Sequence, residues 1–435
     1  MVARHRWTVC TASGIAVLLI VGLNSVQVKA QEPLTGDFAS LPPGVYRLTL
    51  EEAQQRALAN SKLRSLAYMN MEAKQEGIYV IEADYYPKLF AGFTGFHFDQ
   101  PLGKVLTPGG PLGASIAVNV VNQDFGLATM TAVQPITALL KVRQGVIVAE
   151  ADEQIARSLA LQADRAIASG VEQLYFGLLA ANRILAGAQA AAAAAGHMPP
   201  ALSSTMAARI AGVEAKQAIQ AVSSQAAELE EQLNGLVELP LCTRLNLIEP
   251  PPVAPCVNCA EQAIALALGC SPEIFQADQD AVKAEAGVRA AKVDWLPDVL
   301  LMGGYSNQNG INVIQNDVSY GAVSVNYPLF EGGKRIHALR QAEMVQAMAR
   351  QQACQVREEV SRKAQKAYRE YAEAQASFQT AGEMLQVRKE AQQKAHTPDE
   401  IIQAAGEVMK AEATLVQAEA TCRVAGVKLA GITGL

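Results

Sequence analysis

Aromatic side chains are scarce: Phe, Trp and Tyr together make up 5% of the 435 residues, although half of the chain is hydrophobic. Much of that hydrophobic share is alanine, which fills little volume, so one large globular core is excluded and slender, closely packed helices are favoured. Clustered basic residues are also missing. With 36 Lys and Arg against 42 Asp and Glu, and a formal charge of -6, the chain offers no surface that would release counterions from phosphates, and no nucleic-acid partner is expected. Catalytic motifs are absent too: no Walker loop, no GxSxG and no HExxH occur, and the five His and seven Cys are scattered. Paired carboxylates such as Glu51-Glu52 and Glu358-Glu359 fall on charged helical faces, where solvation is expected rather than acid–base work. No enzyme activity, cofactor or catalytic metal is therefore expected. No segment after the N-terminus offers about eighteen consecutive apolar residues, the length of a membrane-spanning helix.

The N-terminus reads as an export signal. Arg4 and Arg6 precede an apolar run from Ile15 to Leu23, and Val28-Lys29-Ala30 predicts cleavage before Gln31. Cys10 lies too early to be a lipid-acylation site. Cys242, Cys256, Cys259 and Cys270 fall close together and in an oxidising compartment are candidates for two disulfides. A zinc cluster is the rival, but Cys-x2-Cys occurs once in this group and the outer spacings are irregular. Cys354 and Cys422, on helical stretches, are expected to be buried free thiols.

The most informative feature is an internal match. KQEGIYVIEADYYPK (74–88) aligns with AEAGVRAAKVDWLPD (284–298), pairing Gly77 with Gly287, Asp84 with Asp294 and Pro87 with Pro297, at 297 − 87 = 210. VQPITALLKVRQ (133–144) aligns with NYPLFEGGKRIH (326–337), pairing Pro135 with Pro328 and Lys141 with Lys334, at 328 − 135 = 193. The offset drops by 17 because the first copy carries a longer connection, QPLGKVLTPGGPLGAS, expected to be a loop.

Each copy has one order of elements. A short helix (49–60 or 260–270) leads to a second (62–85 or 272–295), which ends where Pro87 or Pro297 bars helical geometry from the residue before it. A β-hairpin follows, about 88–134 or 298–327, with LFAGFTGFHF and GLATMTAV, or VLLMGGYS and SYGAVSVNY, as strands of roughly ten residues, the length that crosses a hydrocarbon layer when tilted. Helices of roughly 90 Å come next, 138–195 and 334–395. Ile167, Val171, Leu174, Leu178, Ala181, Leu185 and Ala188 repeat at 4-3 spacing along one, and Ala367, Tyr371, Ala374, Phe378, Ala381 and Leu385 along the other. That is a coiled-coil seam. Shorter helices (201–238 and 399–430) return, and 62–85 placed end to end with 201–238 has about the length needed to cover the first long helix.

Two hairpins supply four strands per chain. A lipid-exposed sheet must close, because edge amides find no water in a bilayer, so four strands are a fraction of a barrel shared among identical copies. Two copies make eight strands, whose lumen fills with side chains, and three make twelve, which suits a channel.

The doubled unit, the YPLFEGGKR junction, the LNGLVELPLCTRLNLIEPPPV segment and the LTLEEAQQRALANS opening resemble the TolC family of bacterial outer-membrane efflux channels, from about residue 48 to the end. The resemblance implies a homotrimer with a shared twelve-stranded β-barrel in outer-membrane lipid, an α-barrel coiled-coil tunnel through the periplasm, and an equatorial band near 236–270. It implies a passive exit duct of a tripartite efflux pump or type I secretion system, working with a periplasmic adaptor and an inner-membrane transporter. The first copy departs from the pattern, with Ile-Thr-Ala-Leu-Leu where the second has Leu-Phe-Glu-Gly-Gly, and the tail after Leu429 is short.

The implied organisation is a signal peptide (1–30), a linker (31–47), repeat 1 (48–240, with its α-hairpin 138–238), an inter-repeat linker (241–259) and repeat 2 (260–435, with its α-hairpin 334–430). Pro87, Pro135, Pro297 and Pro328, with Gly332 and Gly333, are the expected barrel–tunnel junctions, since proline fixes φ and glycine accepts torsions other residues resist. The periplasmic aperture is expected at the helical tips, with His197, His396, Asp399 and Glu400 as its candidates. A trimer would gather these carboxylates into a cation-attracting ring, with the histidines adding pH dependence. The plainer reading makes Asp399 and Glu400 helix caps. A periplasmic coiled-coil adaptor and a helical scaffold are the rival classes, but neither accounts for matched hairpins flanked by matched prolines.

Overall fold

A computed structural model describes residues 45–108, 115–196, 206–251, 257–312, 314–395 and 397–434. The expected signal peptide, nearly all of linker 31–47, Cys256, His197 and His396 lie outside the described residues. The elements in chain order are β1 (Val45–Leu48), α1 (Leu50–Asn60), α2 (Lys62–Glu82), β2 (Lys88–His97), β3 (Leu102–Pro108), β4 (Ser115–Pro135), α3 (Ala138–Gly196) and α4 (Met206–Val237). They continue with β5 (Arg244–Leu247), α5 (Ala260–Cys270), α6 (Pro272–Val293), β6 (Asp298–Ile311), β7 (Asp317–Asn326), α7 (Lys334–Gln393) and α8 (Pro398–Thr433). Local chemistry sets these limits. Thr49 and Ser61 cap α1 and α2 by accepting from the Glu52 and Arg64 amides. A 3₁₀ turn over Ala83–Tyr85 leaves Tyr86 extended (φ −92°, ψ 152°) ahead of Pro87.

The large sheet runs β2-β4-β6-β7, with β3 on β4. It holds five strands where four were expected, because residues 102–108 of the Pro/Gly-rich stretch read as a loop are strand. Val121 of β4 pairs with Leu102 on one side and Ile311 on the other, so β3 prolongs β2 along the same edge of β4. The break between them contains Pro101, which has no amide to give to the ladder. The first hairpin is thus twice the expected length, β4 having 21 residues, and β6 has 14. Among the described strands of this sheet, β2 and β7 end the hydrogen-bonded order.

α3 and α7 are the long spines, with 59 and 60 residues, about 90 Å each. α3 is covered first by α2 and later by α4, and also touches α6 and α8; α7 is covered by α6 and α8. The approach of α2 to α3 is close: a Cβ on Gly145 would lie 3.3 Å from Ile81 Cγ2. Along the α3 seam Ile167, Val171, Leu178, Ala181 and Ala188 are buried, and along α7 Ala367, Ala374 and Ala381 are, with Phe378 left at the surface.

A two-stranded parallel sheet, β1 with β5 in the register Leu48↔Leu247, was not foreseen. It sits over the middle of α3, where Leu48, Tyr175, Leu233 and Val237 form the main apolar cluster. The buried Tyr175 hydroxyl donates to the carbonyls of Leu48 and Ile248, tying the chain before α1 to the linker after β5. Asn234 Nδ2 donates to Thr243 O at 2.8 Å and closes the turn between α4 and β5. Cys242, Cys259 and Cys270 are free thiols. Cys354, expected to be buried, is exposed, because it lies one position off the alanine seam marked by the buried Ala353.

Candidate functional site

Among the described residues no group of three His, Cys, Asp or Glu side chains could hold a metal ion, and no helix is long and apolar enough to cross a membrane. The features that set this chain apart are a sheet with two uncovered faces, a line of strand–helix joins, and ionic ties among the helices.

Every residue of β2 is exposed, Phe93 at 78%. The register fixes which side chains share a face. Leu89, Ala91, Phe93 and Gly95 lie with Ala132, Met130, Ala128 and Gly126 of β4, then with Gly303 and Tyr305 of β6, then with Gly321 and Ser319 of β7. Val299 and Leu301 carry this face on to Val325 and Val323. The other face holds Thr94, Thr129, Thr131, Ser306, Ser324 and Asn326 among its members. Strand alternation puts most of the hydroxyls on this second face, where Phe90, Phe96, Leu127, Val133 and Met302 also lie, so both surfaces carry large apolar side chains.

The joins lie side by side at one end of the sheet. Pro87 precedes β2, Pro135 ends β4, Pro297 precedes β6 and Pro328 follows β7, and the registers bring Lys88 opposite Val133, Pro135 opposite Leu300, and Asp298 opposite Asn326. Three of them are stitched together. Gln134 Nε2 donates to Tyr85 O at 3.2 Å. Thr137 Oγ1 donates to Pro297 O at 2.7 Å and accepts from Val299 N at 3.0 Å, while Lys141 pairs with Asp294. At the fourth join Gly332 (φ +60°) and Gly333 (φ +83°) take left-handed torsions that start α7. There Arg335 pairs with Glu331 at 2.8 Å and stacks over the Tyr327 ring at 4.8 Å. Leu329 and Phe330 stand almost fully exposed, at 93% and 89%.

Below the sheet, ionic ties hold helices of the two halves together. Lys283 of α6 meets Asp152 of α3 at 2.9 Å and Asp280 at 2.8 Å; burial pulls its ammonium pKa down, but these two carboxylates outweigh it and the net shift is upward. Glu249, in the linker after β5, pairs with Arg183 of α3 and with Arg423 of α8, and both arginines also reach Glu419. The hydrogen bond from Arg183 holds the Glu249 carboxyl below its usual range despite some burial. Nothing in the sequence pattern pointed to this cluster, since apart from Glu419 and Arg423, one helical turn apart, its members are distant in the chain.

At the far end of α8, Thr397 and Glu400 form a reciprocal capping box behind Pro398 at the first helical position. Asp399 is the second residue of that helix. Of the four aperture candidates, Glu400 is thus seen as a helix cap, and His197 and His396 lie outside the described residues.

Residues 263–435 match the family model described as outer membrane efflux protein. Among solved structures the chain is similar to CusC, a transmembrane channel, with a TM-score of 0.69 at 15% identity over 91% of this chain and 95% of that one. It is similar also to the open-state MtrE outer membrane channel of Neisseria gonorrhoeae (TM-score 0.72, 15% identity, 88% of each chain). A third likeness is to VceC, an outer membrane protein of Vibrio cholerae (TM-score 0.65, 16% identity, 88% of this chain and 96% of that one). No curated protein matches the chain.

Proposed function

We propose that this chain, whose residues 263–435 match the family model described as outer membrane efflux protein, is one subunit of a trimeric outer-membrane duct. β2 with β3 acts as one interrupted stave, so each copy contributes four staves along the path β2-β4-β6-β7, and three copies contribute 3 × 4 = 12. The observation that carries this reading is the sheet itself. Among the described residues no strand pairs with the outer edges of its terminal strands β2 and β7, and β2 is exposed along its whole length. Apolar side chains at such exposure are costly in water and at home in lipid, and unpaired amides are tolerated in lipid only if another strand takes them up.

The helices then serve as tunnel wall. In this reading the four prolines and Gly332-Gly333 turn each tilted stave into a steeper helix, reconciling two tubes of different wall geometry. The β1·β5 sheet, with α1 and α5, forms the equatorial band. No reacting group is required: the duct is passive, and an inner-membrane transporter supplies the energy through a periplasmic adaptor. Chemical crosslinking of the purified chain in detergent, combined with planar-bilayer recording, tests the reading. Crosslinked trimers and ion conductance are expected, whereas a detergent-free monomer without conductance overturns it.

A further inference from the structure

The seam inside the chain predicts the seam between copies. Within one chain the second strand of the first half, β4, lies beside the first strand of the second half, β6, with positions that sum to 435, such as Thr131↔Gly304 and Val133↔Met302. The internal match equates β4 with β7 at an offset of 193 and β2 with β6 at an offset of 210. Adding 193 to each β4 member and subtracting 210 from each β6 member gives a β7·β2 register summing to 418. We infer that β7 of one copy pairs antiparallel with β2 of the next in this register, with Ser324 opposite Thr94 and Val325 opposite Phe93, and that Lys334 meets the next copy's Asp84 just below. The inference rests on the shared-barrel reading and adds its residue-level geometry.

Three features agree with the deduced register. The first is parity. It sets Val323 and Val325 against Gly95 and Phe93, on the face that also holds Ala128 and Met130, and sets Ser324 and Asn326 against Thr94 and Gly92 on the other; a slip of one residue would cross the two faces. The second is charge. Lys141 pairs with Asp294 across the internal seam, and their equivalents are Lys334 (141 + 193) and Asp84 (294 − 210). Lys334 is exposed and has no ion pair among the described residues, while Asp84 holds only Lys88, at 2.9 Å, with half its side chain still exposed. The third is apolar surface below the sheet. α3 packs on α6 across the internal seam, so α7 would pack on the next copy's α2. Those two helices leave Met344 and Met348, and Leu66, Met69 and Val80, exposed.

One difference separates the two seams. The Thr137 hydroxyl that bridges Pro297 O and Val299 N has Phe330 as its equivalent (137 + 193). Between copies that hydrogen-bonded bridge is replaced by the exposed Leu329-Phe330 pair, which finds cover against the neighbour's Leu89.

Disulfide trapping reads the register directly. Ile136 N donates to Val299 O at 2.8 Å, so Thr131↔Gly304 and its equivalent Ser324↔Thr94 are non-hydrogen-bonded sites, where Cα atoms lie about 4.5 Å apart and a disulfide fits. Full-length chain carrying Ser324→Cys with Thr94→Cys, oxidised in outer-membrane vesicles, is expected to form covalent dimers and trimers that the parent, treated alike, lacks. Ser324→Cys with Phe96→Cys or with Gly92→Cys is expected to form few. Trimers that conduct ions but crosslink only in a slipped pair overturn the register and leave the shared barrel standing. Absence of any oligomer and of conductance in the parent overturns both. As a second readout, Lys334→Glu is expected to lower the temperature at which the trimer dissociates in SDS, and Asp84→Lys added to it to restore that temperature; failure of the swap to restore it removes the ion pair from the proposal.

Discussion

Glu172 shows how a single side chain tunes the chain's stability. It lies on α3 beside the main apolar cluster, half-buried, and Gln54 of α1 donates to it. Burial raises its carboxyl pKa and the Gln54 bond only partly offsets this. A carboxyl raised on folding contributes stability that is present below its unfolded pKa and is lost as pH rises through the folded value. Glu172→Gln keeps an acceptor for Gln54 and removes the buried charge. Its thermal unfolding is expected to shift upward at neutral pH, by on the order of 1 kcal/mol, with the gap closing as wild type is acidified below the ordinary carboxylate range. Calorimetry at pH 7 and in acid measures both arms; an unchanged gap would show that Glu172 is not the group responsible. Glycine at 332 and 333 acts at the same scale, since two successive left-handed torsions are open to few other residues.

Elements are joined by ties of another kind. Glu249 links a linker strand to α3 and α8 through Arg183 and Arg423, and Arg423 also stacks over Phe176. The Glu249 side chain is 43% exposed, so solvent screening leaves the tie about 1 kcal/mol or less. Such an energy loosens a linker locally without unfolding a helix. Because the Glu249 carboxyl is held below its usual range, its contribution is present above the unfolded pKa and is lost as pH falls through the folded one. Amide protection in residues 244–251, taken relative to intrinsic exchange at the same pH, is expected to fall in Glu249→Gln at neutral pH by up to several-fold, and to fall in wild type only in acid. Exchange that ignores the substitution would show that the β1·β5 pairing and Tyr175 alone hold the segment.

At the scale of the whole molecule, the helical tips raise the question of selectivity. Glu400 is committed to the capping box with Thr397, which Gln also satisfies, so Glu400→Gln separates charge from capping. If the tips of three copies converge on one aperture, Asp399→Asn with Glu400→Gln is expected to reduce cation preference in single-channel recordings severalfold while trimers persist; unchanged reversal potentials would mean the tip carboxylates do not line the path. The five-stranded sheet has its bearing here too. β3 and the first part of β4 carry the first hairpin beyond the second, so one flank of the sheet stands taller than the other.

Much of this was legible in the chain. Helix limits over 50–60, 260–270 and 138–196 follow from caps, prolines and unbroken apolar periodicity, all local signals carried by nearest neighbours. Even the 4-3 seam on α3 predicted buried residues, because a helix of that length can hide only one stripe. What stayed hidden was whatever depends on which distant segments meet. β1 and β5 are four residues each, too short for an alternation to speak, and their parallel pairing is decided by where α3 brings them. QPLGKVLTPGGPLGAS reads as a loop by composition, yet β4 offers its edge and tertiary hydrogen bonds override the turn residues along 102–108. The Arg183–Glu249–Arg423–Glu419 cluster likewise exists only once three separate segments are packed together. Sequence alone determined most of the elements and their ends, because those rest on backbone chemistry and hydrophobic period; the register, the ionic ties and the edges of the sheet were decided by tertiary structure, because pair interactions between remote residues have no local signature.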